Sequence, residues 1–372
     1  MHRYRLLTIL ILFLSALVSA RAIVIRHDRD DARYLELAKE FKAYVDVVDA
    51  GGTLIDPRWV LTAGHVAREI TPFSATAKIN GKRYIIDRII FHPDYVQQRG
   101  GRKDLSLLRL SQPVTDVQPV GLYRNSDEVG QTVNFFGRGM KGNGNTGPTG
   151  EDGKMRGATN KLERADNASV FFQFDKPETA TDLEGISGPG DSGGPALLKV
   201  DGKWAIAGVS SANMGNGFGL CKYGTTEVYA RVSTEVAWIE KTLKDSLPST
   251  PLWSKPTAFK AWPKTRQGEV AEALIIAYNS GKSSTMETFN LAFRDPSVLT
   301  RRTPAQRAEG YENSYRRSGA ITVQMISTDI TGRMVLMVKG DKGFFQLSLF
   351  FLDPAATRFD GYYIGDAVPP ED

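Results

Sequence analysis

A single cysteine, Cys221, stands in 372 residues, so no intrachain disulfide framework can staple the fold, although an exported chain could have carried one. Stability has to come from packing, and Cys221 reads as a small buried or semi-buried hydrophobe. Long apolar runs are missing as well: the N-terminal one, Leu6 to Val18, is thirteen residues, short of the ~20 that a membrane-spanning helix needs. Blocks of one charge are absent too. The formal charge is only +5, with Lys and Arg scattered among almost as many acids, which leaves no nucleic-acid footprint.

What is present begins with an address. Met1-His2-Arg3-Tyr4-Arg5 is a basic start, the short apolar run follows it, and small residues suited to cleavage come next; residues 1–22 read as a signal peptide. Export follows, to a secreted or periplasmic location, with no stable membrane anchor once the signal is removed. At this length the chain has room for two domains.

Residues 43–140 and 168–232 are punctuated by short alternating or β-branched runs: 44–48, 84–91, 105–110, 132–136, 170–174, 204–210 and 228–232. Many short strands with few helical patterns predict an all-β barrel or sandwich. The Gly-rich stretch 139–157 has no apolar periodicity and reads as a mobile surface loop. Helices are expected at 30–41 and at 234–243, the second closing the domain. Residues 246–265 hold four prolines and predict an extended linker. Beyond it, 266–368 reads as a separate, smaller α+β domain: a helix over 269–278, capping-box starts at Ser284-x-x-Glu287 and Thr303-Pro304-x-Gln306, then strands at 321–328, 333–339, 344–352 and 358–364.

Three segments of the first domain carry chemistry when taken together: "SGPGDSGGP" (187–195), "WVLTAGHV" (59–66) and "KDLSLLRL" (103–110). A serine hydroxyl is a poor nucleophile until a base takes its proton; an imidazole does that near neutral pH, and a carboxylate fixes its tautomer and stabilises the imidazolium. Ser192, His65 and Asp104 supply the three types. The glycines beside Ser192 allow tight backbone geometry that aims the N–H groups of Gly190 and Ser192 at one spot, an oxyanion hole.

These segments resemble the trypsin/chymotrypsin family in sequence, in the chain order His, Asp, Ser, and in spacing. "GGTLIDPRWVLTAGHV" resembles the segment around the catalytic histidine, Gly137-Arg138-Gly139 its glycine-bracketed turn, and "EVYARVSTEVAWIEKTL" its last strand and closing helix. The resemblance covers roughly 23–245 and implies two six-stranded β-barrels with the triad in the cleft between them. It also implies endopeptidase chemistry through an acyl-enzyme on a polypeptide substrate, with no cofactor and no metal. Ala50 and Val66 stand where the family commonly has a disulfide pair, and Gly188 where another half-cystine is usual, which points to a disulfide-free branch with Cys221 as the orphaned partner of Gly188. An HtrA-type protease is disfavoured because nothing here resembles a PDZ domain.

The same resemblance implies a specificity pocket. Ile186 falls at its base, which argues against the carboxylate that gives trypsin its Lys/Arg preference, and Ser187 joins it as a substrate-binding residue. "AGVSSA" (207–212) looks like the strand that pairs with substrate backbone and so brings in Ser210 and Ala212, and Glu227 falls where a pocket-lining glycine is frequent. Two readings of Glu227 stay open: its carboxylate enters the pocket and favours Lys or Arg, because an unpaired buried charge is costly, or it is satisfied by a nearby Arg, Lys or water. Family enzymes are switched on when a new Ile-Val N-terminus folds inward onto the Asp before the serine. Ala20-Arg21-Ala22 fits the small-x-small cleavage rule, and a cut there exposes Ile23-Val24, 42 residues before His65; the expectation is an ion pair of Ile23 with Asp191, made by signal removal itself. Val18-Ser19-Ala20 fits the rule equally and would leave a two-residue overhang. Asn167-Ala168-Ser169 matches a glycosylation sequon.

Residues 266–368 show no catalytic signature. "LIIAYNSGKSSTMETF" (274–289) carries a weak resemblance to nuclear-transport-factor-like α+β domains, which leaves a core-packed sheet or a groove for an unknown ligand or partner. Two functions compete: a secreted serine endopeptidase, or a catalytically silent protease-fold scaffold that binds through its C-terminal domain.

Overall fold

The computed structural model describes residues 23–95, 103–150, 152–214, 220–245, 253–328, 333–352, 355 and 358–367. The signal-peptide reading of 1–22 and the first part of the proline-rich stretch, 246–252, lie outside the described residues.

A closed six-stranded antiparallel barrel forms first, in the spatial order Tyr44–Val47, Ala50–Asp56, Trp59–Thr62, Ser106–Leu110, Lys82–Phe91 and Thr76–Ile79. Alternating side chains fill it, with Val45, Leu54, Val60 and Leu107 fully buried. Asn80-Gly81, both at positive φ, joins two of its strands by the two-residue turn whose twist suits a hairpin.

The second sheet runs Arg156–Lys161, Thr132–Gly137, Pro195–Val200, Lys203–Met214, Thr226–Arg231, Ser169–Gln173 and Arg164–Ala165, with Gly121–Leu122 added in parallel on Lys203–Met214. It forms a half-barrel whose path stays open, and Gly185–Ile186 pairs with Val24–Ile25 in a separate four-stranded sheet. That small sheet also changes the reading of 139–157. Lys141–Asn143 and Gly147–Gly150 form a hairpin, and the first of them lies parallel to Val24–Ile25. The sequence has no apolar alternation there because backbone pairing, not side-chain burial, holds these strands.

After the closing helix Val236–Lys244, the C-terminal part carries helices Arg266–Asn279, Ser283–Phe293, Pro296–Leu299 and Pro304–Ser318, then an antiparallel meander, Thr322–Thr328, Met334–Gly340, Gly343–Phe351 and Phe359–Asp366. Thr303 and Gln306 make the reciprocal capping box. Ser284 and Glu287 do not: the helix starts two residues earlier, with Lys282 at its N-cap and the Ser283 hydroxyl bonded to Glu312 of the neighbouring helix. The linker reading also needs correcting, since Thr257–Ala258 adds to the meander as an edge strand beside Met325 and Ile326.

Strand Met334–Gly340 is buried on both faces. Met334, Leu336 and Val338 pack under the helices, whereas Val335 and Met337 pack on Phe73 of the first barrel. Polar contacts seal this junction. Arg333 donates to the carbonyls of Arg68 at 2.6 Å and Ile70 at 2.8 Å, groups that the end of helix Gly64–Glu69 leaves unpaired, and the Thr71 hydroxyl bonds the Gln346 side chain. The C-terminal sheet therefore grips the segment that follows His65.

Candidate active site

His65 stands in the first turn of helix Gly64–Glu69, directly after strand Trp59–Thr62. Its backbone N–H donates to Asp104 Oδ1 at 2.9 Å, and its Nδ1 lies 2.7 Å from Asp104 Oδ2. Asp104 is thereby bonded to both the backbone and the ring of one residue, which fixes the imidazole with Nε2 as the free nitrogen. The ring is 40% exposed and Asp104 is buried. Burial alone pushes the Asp104 carboxyl up, but hydrogen bonds from His65 and Ser211 and the nearby imidazole hold it below the usual carboxylate range. Lys103, at φ 58°, turns the chain into the site and is tethered by Glu235 and the Asn167 carbonyl.

The Ser192 turn is tied to the first barrel by backbone. The Ser192 carbonyl accepts from Gly51 N–H at 2.7 Å, and the Gly51 carbonyl accepts from the Thr62 hydroxyl, also at 2.7 Å, three residues before His65. Gly193 has φ 77°, and a Cβ there would lie 2.3 Å from both the Gly51 carbonyl oxygen and Thr62 Oγ1; only glycine permits this approach. Gly190, at φ 95°, opens the same turn. The neighbouring amides are occupied, Asp191 N–H by the Gly188 carbonyl and Gly193 N–H by the Ser210 carbonyl, while the N–H groups of Gly190 and Ser192 have no acceptor among the described residues. Two donors free at one turn are what an oxyanion requires.

Asp191 is buried behind this turn and accepts from the backbone N–H groups of Gly139 and, at 2.8 Å, Gly188. A Cβ on Gly137 or Gly139 would collide with its carboxyl group, so the glycine-bracketed turn exists to make room for it. Ile23 is only 1% exposed, and its side chain borders the same glycine: a Cβ on Gly137 would also meet Ile23 Cδ1 at 2.9 Å. Val24 pairs with Ile186, five residues before Asp191. Arg26 anchors the segment through Asp28 and the Thr181 carbonyl.

Ile186 is fully buried with Val24, Phe174, Cys221 and Tyr223. Ser187, Ser210 and Glu227 are brought together. Glu227 is 1% exposed; Oε2 accepts from Ser187 N–H at 3.1 Å and Asn213 Nδ2 at 2.8 Å, and Oε1 from the Ser210 hydroxyl at 3.5 Å. Its neighbours are neutral donors, with no cation among the described residues bonded to it. Burial, and then the charge of Asp191, push the Glu227 carboxyl well above its ordinary value. Ala212 lies half-buried farther along the same strand, opposite Val228. The Cys221 thiol, also pushed up by burial, donates to the Ser187 carbonyl at 3.2 Å, next to Gly188.

Two residues of the site were not singled out from the sequence. Ser211 donates to Asp104 Oδ2 at 2.6 Å, and Asn213 holds Glu227. A bulge between Ser210 and Ala212 turns Ser211 away from the pocket and toward Asp104, and nothing in "SSA" says which serine bulges.

Comparison with known proteins agrees with this architecture. A family profile described as Trypsin matches residues 37–239, more than half of the chain. Among curated relatives, the complement C1s subcomponent of Sus scrofa is 28% identical over 234 residues, covering 54% of this chain and 33% of that protein. The complement C1s subcomponent of Rattus norvegicus is 29% identical over 240 residues, covering 55% and 34%. The chain thus spans about a third of the length of these relatives. With a six-stranded barrel, a facing half-barrel and the profile match in register with both, the chain belongs to the trypsin family of serine proteases.

Proposed function

We propose that this chain is a secreted or periplasmic serine endopeptidase acting through an acyl-enzyme. Ser192 Oγ attacks the peptide carbonyl while His65 Nε2 takes its proton; the same proton then passes to the leaving amine, and water repeats the sequence to release the acid. Asp104 orients His65, and the Gly190 and Ser192 amides receive the oxyanion. The observations that support this reading are the doubly bonded His65–Asp104 pair and a serine turn whose Gly190 and Ser192 amides have no acceptor among the described residues.

The substrate class in this proposal is a polypeptide with Lys or Arg before the cleaved bond. Its support is the buried Glu227 carboxyl, held among the described residues by neutral donors, whose ionised form a basic side chain would favour and pair with. Activation is proposed to be direct: cleavage after Ala22 frees the Ile23 ammonium to pair with Asp191, a reading supported by the buried position of Ile23 against the same glycine turn. A fluorophosphonate probe tests the chemistry, with labelling at Ser192 expected and lost in His65→Ala. N-terminal sequencing of the exported protein tests the activation. A fully active protein beginning at Arg21 would refute it, and an unlabelled, correctly processed protein would make the fold a scaffold.

A further inference from the structure

Helices Ser283–Phe293 and Pro304–Ser318 and strand Phe359–Asp366 border a half-open pocket of about 470 Å³, within the range of small-molecule sites. Arg294, Arg302, Arg307 and Arg317 line it, and among the described residues no Asp or Glu does. Two of these arginines are committed: Arg307 chelates Glu287, and Arg317 donates to the Ile364 carbonyl. Arg294 and Arg302 have no carboxylate within ion-pair distance among the described residues.

Arg294 is the informative one. Its Nε is buried with no hydrogen-bond partner, and so is Oδ1 of Asn290, in the last turn of the helix that Arg294 caps. A donor and an acceptor are therefore both open on one wall, and buried polar groups in native folds are ordinarily paired. Strand Phe359–Asp366 yields space for the guanidinium: a Cβ on Gly361 would come within 3.0 Å of Arg294 Nη2. Burial pulls Arg294 below its ordinary value; Tyr362 and Asp360 oppose that shift, and Arg307 and Arg302 add to it more weakly. A planar, partly desolvated cation with no carboxylate within ion-pair distance among the described residues matches the oxygens of a carboxylate or phosphate.

We propose that this pocket binds a small organic oxyanion, a carboxylate or phosphate monoester that also carries a hydroxyl. The oxyanion sits on Arg294 and Arg302, and the hydroxyl donates to Asn290 Oδ1. The proposal is independent of the proteolytic chemistry.

The test is calorimetric titration of the full exported chain with malate and with glycerol 3-phosphate, each at ionic strength matched with NaCl. Succinate serves as the control that lacks the hydroxyl. Saturable one-to-one binding of malate or glycerol 3-phosphate is expected, at least fivefold tighter for malate than for succinate if the carboxylate is the source; preference for glycerol 3-phosphate assigns the phosphate ester. Arg294→Gln should weaken binding at least tenfold. Because that variant changes a partly buried group, Arg302→Gln at an exposed position is the second test, expected to weaken binding about threefold with unchanged thermal stability. Heats indistinguishable from NaCl for both probes, or affinities unchanged in both variants, overturn the proposal and leave water as the partner of Arg294 and Asn290.

Discussion

Replacing Glu227 by Gln is the sharpest perturbation available, because it removes a charge while keeping the shape. The Gln Oε1 can retain the bonds from Ser187 N–H and Asn213 Nδ2, and its NH₂ can turn to the Ser210 hydroxyl as acceptor. An ammonium brought to about 4 Å from a carboxylate gains roughly 4 kcal/mol at an effective dielectric of about 20. Desolvating the incoming side chain offsets part of that gain, leaving about 3 kcal/mol of differential binding. At about 1.4 kcal/mol per decade, kcat/KM for Lys and Arg substrates should fall about 100-fold in Glu227→Gln. Substrates with Leu at the same position should change less than threefold. The assay is a set of fluorogenic peptides differing only in that residue, read from pH 6 to 9. Since burial and Asp191 raise the Glu227 carboxyl, the charged form gains population as pH rises, so the Lys-to-Leu ratio of the unmodified enzyme should climb with pH and that of the variant should stay flat. The same raised value means that ionised Glu227 opposes folding, so the variant should be no less stable than the parent, and more stable at high pH. An active variant with an unchanged Lys-to-Leu ratio would refute the reasoning.

Three further outcomes follow from other contacts. Arg333→Met leaves the Arg68 and Ile70 carbonyls without donors, which should cost about 2–4 kcal/mol in urea unfolding, together with a loss of kcat because these carbonyls end the helix that carries His65. Glu184 is buried and burial pushes its carboxyl up to about 7; the folded state holds a proton that the unfolded state releases near 4.5, so its contribution is present below pH ~4.5 and lost as pH rises through about 7, by at most about 3 kcal/mol, because two backbone N–H bonds favour the charged form. Glu184→Gln should flatten that slope in thermal unfolding between pH 5 and 8. Ser211→Ala removes one donor from Asp104, whose depressed carboxyl contributes stability above its unfolded value that is lost as pH falls through the folded one; the variant should lose about 1 kcal/mol at pH 7 and unfold at higher pH on the acid side.

The strands of both units and the helices of the C-terminal part are carried by local patterning. Alternation placed Tyr44–Val47, Thr132–Gly137 and the meander from Thr322 within about two residues, and the Thr303 box marked its helix start, because side-chain period and capping act over a few residues. Identity of the chemical groups was local as well. "GDSGGP" carries its own backbone requirement, since Gly193 must accept φ 77° and contact with Gly51. Tertiary structure decided what depends on partners distant in sequence: which serine of Ser210-Ser211 faces Asp104, whether Glu227 meets a cation or neutral donors, and whether 139–157 is loop or strand. It also decided that the C-terminal sheet seats Phe73 and caps the helix of His65. Each of these is set by what lies across a fold boundary, where burial and an unpaired hydrogen-bonding group, rather than periodicity, choose the conformation.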